Sequence, residues 1–190
     1  MNLNIPYMET DNKLLNDAYR IAAGDIVGNI VYYQNGLLTE EKPCMIAGLD
    51  YNTPWTRDTA INIWNALSIL SPEVSKNTLL AVLEEEEGNI YIGGQYWDSI
   101  IWMIGAREYC RFHKDDNFYR LAFEAGRNSV HRLEEDEFDE EDGLFRGPAV
   151  YGDGIAAYPD KYSKCPNQGS GILEWVDYPG NPVYPKGYGI

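Results

Sequence analysis

The chain has 190 residues, 44% of them hydrophobic and 24% charged, the composition of one folded domain rather than of a disordered chain. Thirty acidic against fifteen basic residues give a formal charge of −15, which repels phosphate backbones and anionic lipid surfaces and argues against nucleic-acid and membrane partners. Three scattered cysteines, Cys44, Cys110 and Cys165, form no disulfide framework and favour a reducing compartment.

No run of 18 apolar residues is present, and the start Met1-Asn-Leu-Asn-Ile-Pro lacks a basic and then apolar signal region, so a cytoplasmic protein is expected. Fifteen Tyr and five Trp supply rings with a flat apolar face and a polar tip. Such rings suit sugars, whose C–H faces stack while their hydroxyls take hydrogen bonds, and they equally suit a protein core.

After a lead of residues 1–10, Asp11 or Asn12 caps a helix predicted to run to about Gln34, with Leu14, Leu15, Ala18, Ile21, Ala22, Ile26, Ile30 and Val31 at helical spacing. Gly24 and Gly28 weaken it locally, and Asn35-Gly36 stops it before a turn-rich loop to Pro54. The second helix, about Thr56 to Leu70, is apolar around most of its circumference and is expected to be buried on more than one side. Ser71-Pro72 opens a third, more polar helix to about Glu85. The couple recurs as a nearly continuous apolar helix from Asp98 to Phe112 and an amphipathic one from about Asp115 to Glu134.

Strand signals are scarce. The alternation therefore predicts an all-α fold of helical hairpins with inner and outer helices, either an α-solenoid or an α/α toroid, and the lack of a fixed-length repeat counts against the solenoid. Residues 143–190 hold nine Gly and six Pro and read as an irregular, loop-rich segment of the same single domain.

Three stretches set rings and carboxylates beside helix starts or glycines: Thr53-Pro-Trp-Thr-Arg-Asp58, Gly93-Gly-Gln-Tyr-Trp-Asp98, and Asp142-Gly-Leu-Phe with Tyr151-Gly-Asp153. The first N–H groups of a helix point outward without intrahelical partners. A hydroxyl-rich ligand would find donors, acceptors and rings there, so the three stretches are read as converging on one site.

Its candidates are Trp55, Arg57, Asp58, Gln95, Tyr96, Trp97, Asp98, Asp142, Tyr151 and Asp153. Each has a plainer role open to it. Trp55 can pack in the core, Asp58 can complement the helix dipole, Asp98 can cap, Gln95 can face solvent, and Asp142 and Asp153 can serve as turn residues. The acidic runs Glu84–Glu87 and 134–142 read as solvated helix ends and loops; the second offers hard oxygen ligands for Ca²⁺ but lacks the EF-hand pattern. His113 and His131 have no zinc-ligand spacing. No cofactor or metal is expected.

Pro54-Trp-Thr-Arg-Asp58, Gln95-Tyr-Trp-Asp98 and Asp142-Gly-Leu-Phe with Tyr-Gly-Asp153, in this order and spacing, resemble the six-hairpin glycosidases. The nearest group is that of amylo-α-1,6-glucosidase and processing α-glucosidase relatives, and the likeness covers about Asp11 to Asp160. It implies an (α/α)6 toroid and an inverting glycoside hydrolase with a carbohydrate substrate. One carboxylic acid protonates the leaving oxygen and a second carboxylate activates water roughly 6.5–9.5 Å away.

Asp153 is the position matching the acid. The late base has no matching position, and the helices amount to half of such a toroid, so the sequence is expected to represent a fragment or to need a partner. Two other readings stand beside this one. A sugar epimerase on a similar toroid would want central histidines, whereas His113 and His131 fall late in outer-type helices. A non-catalytic helical module would bind oligosaccharide or protein through its aromatic loops.

Overall fold

The computed structural model describes residues 5–48, 51–94, 97–148 and 186–188. Packing divides the chain into two compact units, 1–130 and 131–190. Among the described residues the chain is mostly helical, with five helices and short β-hairpins.

The Asn12 side chain accepts hydrogen bonds from the N–H groups of Leu14 and Leu15, satisfying donors that have no partner in the first turn. Helix α1, Lys13–Gly28, follows. It stops well short of Gln34, at Asn29, whose backbone N–H closes the last helical bond to the Asp25 carbonyl (3.1 Å) and whose side-chain amide donates to the same oxygen (2.9 Å). Ile30–Tyr33 then leaves as strand β1 and pairs antiparallel with β2, Lys42–Met45. Its β-branched and aromatic residues take the strand once a partner is present. No residue of α1 is buried, and Leu14, Leu15 and Ile21 stand exposed. The apolar stripe is there, and among the described residues only its end is covered, where Ile26 packs half-buried against the core.

Helix α2 spans residues 56–70: Thr56–Asn62 is α-helical, Ile63–Leu67 is π-helical, and Ser68–Leu70 returns to α. It buries Thr56, Thr59, Ala60, Ile63, Leu67 and Ser68, while Ile61, Trp64 and Ile69 are exposed. Among the described residues, α2 is thus covered along one side only, contrary to the expectation from its composition. Ser71 and Pro72 start α3, Pro72–Ala81, with proline where its missing N–H costs nothing.

The chain turns at Val82, not at Glu85. Leu83–Glu86 (β3) and Asn89–Ile92 (β4) form a hairpin through Glu87 and Gly88, both at positive φ (51° and 82°), the turn whose twist matches the strands. The end of α3 is capped from a distance. Leu37 N–H donates to the Leu80 carbonyl (3.1 Å) and Asn35 Nδ2 to the Ala81 carbonyl (3.4 Å). Between them Gly36 has φ +59°, and a Cβ there would lie 2.6–2.7 Å from the carbonyl oxygens of Leu80, Ala81 and Leu83. Only glycine fits.

Helix α4, Asp98–Phe112, and helix α5, Asp116–Glu137, complete the helical set. Asp115 starts α5 by accepting the Phe118 N–H (3.0 Å) while bound to Lys76 Nζ (2.5 Å). α2 and α4 run parallel. Arg57 meets Asp98 at their starts (3.0 Å), Ala60 lies against Gly105, and His113 Nε2 meets the Ser68 carbonyl at their ends (2.6 Å). α3 runs back antiparallel beside them, because it leaves from the end of α2 while Gly93, bonded to Val82 just beyond α3, is tied to Thr56 at the α2 start.

The core lies among these helices and the hairpins. Trp102 is wholly buried, donates to the Leu79 carbonyl (3.3 Å) and packs against Phe118, which meets Tyr109 edge-on. Aromatic pairs of this kind add about 0.5–1.5 kcal/mol beyond the area they bury.

In the second unit, β5 (Phe138–Asp139), β6 (Leu144–Pro148) and β7 (Lys186–Tyr188) form an antiparallel sheet in that order. The acidic run turns tightly between β5 and β6. Asp139 Oδ1 accepts the Glu141 N–H (3.0 Å), its carbonyl accepts the Gly143 N–H (2.8 Å), and Gly143 sits at φ +67°. Most of the Gly/Pro-rich segment, 149–185, lies outside the described residues.

Candidate functional site

The loop into α2 is anchored by Tyr33, whose hydroxyl meets Thr53 Oγ1 at 2.8 Å. Pro54 is buried, and Trp55 follows in extended conformation as the residue capping α2, with its ring edge-on to Tyr51 at 6.1 Å. Trp55 gives α2 no side-chain cap. Its own indole Nε1 is buried and finds no hydrogen-bond partner among the described residues. An unsatisfied buried donor costs about 1–3 kcal/mol, and its presence beside a helix start asks for an acceptor.

Arg57 and Asp98 meet across 41 residues of sequence. The guanidinium Nε donates to Asp98 Oδ1 at 3.0 Å; the arginine side chain is 37% exposed and the aspartate side chain 4%. A charge-assisted hydrogen bond therefore holds a carboxylate that water scarcely reaches, with its partner at the surface. Asp58 is exposed on the first turn of α2, and Trp97 precedes α4 half-buried, again without a side-chain cap. The starts of α2 and α4 thus stand together, carrying two indoles, a guanidinium and a buried carboxylate. That set is equipped to bind and orient a polar ligand with apolar faces.

The first two sequence stretches meet through Arg57 and Asp98. Gln95, Tyr96, Tyr151 and Asp153 lie outside the described residues. Asp142 belongs to the second unit, exposed in the β5–β6 turn with its N–H on Asp139 Oδ1 (3.4 Å). Among the described residues no group of three or more His, Cys, Asp and Glu is placed to hold a metal ion, and no helix is long and apolar enough to cross a membrane. His113 ties α4 to α2 and lies against the Tyr109 ring, while His131 pairs with Glu134 (3.1 Å).

No family model, curated protein or solved structure matches the chain. The site rests on its geometry.

Sequence reasoning passed over Thr56 and Gly94. Thr56 Oγ1 donates to the Gly93 carbonyl (2.8 Å), and Gly94, at φ +116°, lies against both Thr56 and Asp98. The available signals were a hydroxyl residue at the first helical position and the Gly93-Gly94 pair ahead of the next helix.

Proposed function

We propose that this protein is a glycoside hydrolase of the six-hairpin type, acting with inversion on an α-linked gluco-oligosaccharide. The observation that carries the reading is the Arg57–Asp98 pair, which joins two parallel helix starts beside Trp55 and Trp97. Carboxylate and guanidinium suit sugar hydroxyls, and the indoles suit the apolar face of a pyranose. The parallel course of α2 and α4 with α3 returning beside them suits stacked hairpins of an (α/α)6 toroid, which is part of the proposal. The α-linkage and inversion come from the motif resemblance. In this reading Trp55, Arg57, Asp58, Gln95, Tyr96, Trp97, Asp98, Asp142 and Tyr151 contact the sugar. Asp153 protonates the leaving oxygen, and the carboxylate that activates water is unassigned.

The test is hydrolysis of maltotetraose by the full-length protein and by Asp153→Asn. Loss of a general acid lowers turnover by about 10²–10⁴-fold, with sugar binding kept. Near-normal turnover in the variant removes Asp153 from that role, and product formed with retained anomeric configuration contradicts inversion. The exposed row Ile61, Trp64 and Ile69 on α2 favours a second reading, a non-catalytic module that binds oligosaccharide or protein. Maltotetraose bound by the unaltered protein but never cleaved selects it.

A further inference from the structure

We infer that Thr56 and Gly94 are positioning residues that set the Asp98 carboxylate against Arg57, and thereby the geometry with which that pair meets a sugar hydroxyl. For its ligand the inference rests on the proposed glycosidase reading; for the placement it rests on contacts alone.

Thr56 is the first residue of α2 and only 4% exposed. At that position a hydroxyl is not drawn back to an earlier turn of its own helix, and here it reaches across to the Gly93 carbonyl at 2.8 Å. The bond ties the backbone just ahead of Gly94 to the residue that precedes Arg57. Gly94 then takes φ +116°, a conformation side chains rarely adopt. Where its Cβ would stand, Thr56 Oγ1 is at 2.9 Å, Thr56 Cβ at 3.0 Å and Asp98 Cβ at 3.0 Å.

Gly94 therefore fills the gap between Thr56 and Asp98, and its lack of a side chain fixes how near Asp98 comes to α2. The Arg57–Asp98 bond is 3.0 Å long, within the ordinary N–H···O range of roughly 2.7–3.2 Å. Little slack remains. A displacement of a few tenths of an ångström at Asp98 takes the pair out of range. Thr56 and Gly94 thus act on the ligand through Asp98, by setting a distance.

The experiment compares Thr56→Val, which keeps the shape and removes the hydroxyl, with Thr56→Ser, which keeps the hydroxyl. Both are made in the full chain and read in two ways: the Arg57 Nε–H resonance without ligand, and maltotetraose affinity. Thr56→Val is expected to shift the Arg57 resonance, speed its solvent exchange and weaken maltotetraose about tenfold, the loss of roughly one hydrogen bond. Thr56→Ser restores both. A merely structural role would lower the melting temperature of Thr56→Val and leave the Arg57 signal and the affinity of the folded protein unchanged; that result overturns the inference.

Should Thr56→Val fail to fold, Gly94→Ala takes its place, and an unmoved Arg57 resonance there is equally fatal. If the unaltered protein ignores maltotetraose and its α-1,6-linked counterpart isomaltotetraose alike, the glycosidase reading fails. The Arg57 resonance still decides the positioning role.

Discussion

Substituting Gly105 by Ala probes how closely α2 and α4 approach. An added Cβ would stand 2.7 Å from the Cα, 3.0 Å from the carbonyl oxygen and 3.1 Å from the Cβ of Ala60. Ordinary contact begins near 3.4 Å, so α4 must retreat by about 0.7 Å (3.4 − 2.7) from an obstacle that is backbone and cannot rotate aside. Helix propensity alone favours Ala over Gly by about 1 kcal/mol, whereas overpacking costs about 1–3 kcal/mol. Packing wins, and the expected net loss is up to about 2 kcal/mol.

Two other helical glycines serve as controls. At Gly24 on α1 a Cβ meets nothing within 4 Å, so only propensity acts and Gly24→Ala gains up to about 1 kcal/mol. At Gly126 the obstacle is Met103 Sδ at 2.7 Å, the far part of a flexible side chain, and the variant falls between the two. Urea unfolding of the three proteins gives the order directly. A Gly105→Ala protein as stable as Gly24→Ala would refute the close approach of α2 and α4.

Two further predictions concern titrating groups. Burial pushes the Cys44 thiol from 9.0 up to about 12, against a hydrogen bond with Thr78 that lowers it. Because the folded pKa is the raised one, the contribution is complete below the unfolded thiol's pKa and is lost as pH rises toward 12, at about 1.4 kcal/mol per pH unit in that window. Iodoacetamide should leave Cys44 unmodified in the native protein at pH 8 and label it in urea; rapid native labelling contradicts its burial. For Asp115, the hydrogen bond from Lys76, then that from the Phe118 N–H, hold the carboxyl below its ordinary 3.8. A lowered folded pKa gives stability that is present above the unfolded value and lost as pH falls through the folded one. Asp115→Asn should therefore be less stable than the parent at pH 6, with the gap closing below about pH 4; a gap that does not change with pH contradicts the ionic role.

The helix starts were legible because their signals are local. Ser71-Pro72, and the apolar runs opening after Thr56 and Asp98, mark α2, α3 and α4 without help from the rest of the chain. The hairpins were not, because they depend on partners far along the sequence or on turn geometry. Ile30–Tyr33 continues a helical stripe until Lys42–Met45 pairs with it. Leu83–Glu86 has good helix formers, and the turn at Glu87-Gly88 overrides them; Gly88 followed by the alternating Asn89-Ile-Tyr-Ile92 was the readable hint. Periodicity found the apolar stripe of α1, but periodicity does not say what covers a stripe, and α1 buries no residue.

At the site, sequence placed Arg57 and Asp98 each at a helix start. Only packing could bring them to 3.0 Å, and the parts played by Thr56 and Gly94 depend on a contact between a helix start and a distant loop that no local pattern encodes.

The most direct measurement follows the Trp55 indole N–H, buried and without an acceptor among the described residues, through a maltotetraose titration of the full chain by ¹⁵N NMR. A sugar seated between Trp55 and the Arg57–Asp98 pair gives that resonance a saturable downfield shift, which Arg57→Ala weakens or abolishes. A Trp55 resonance that stays fixed while the protein binds or cleaves the sugar would contradict the site.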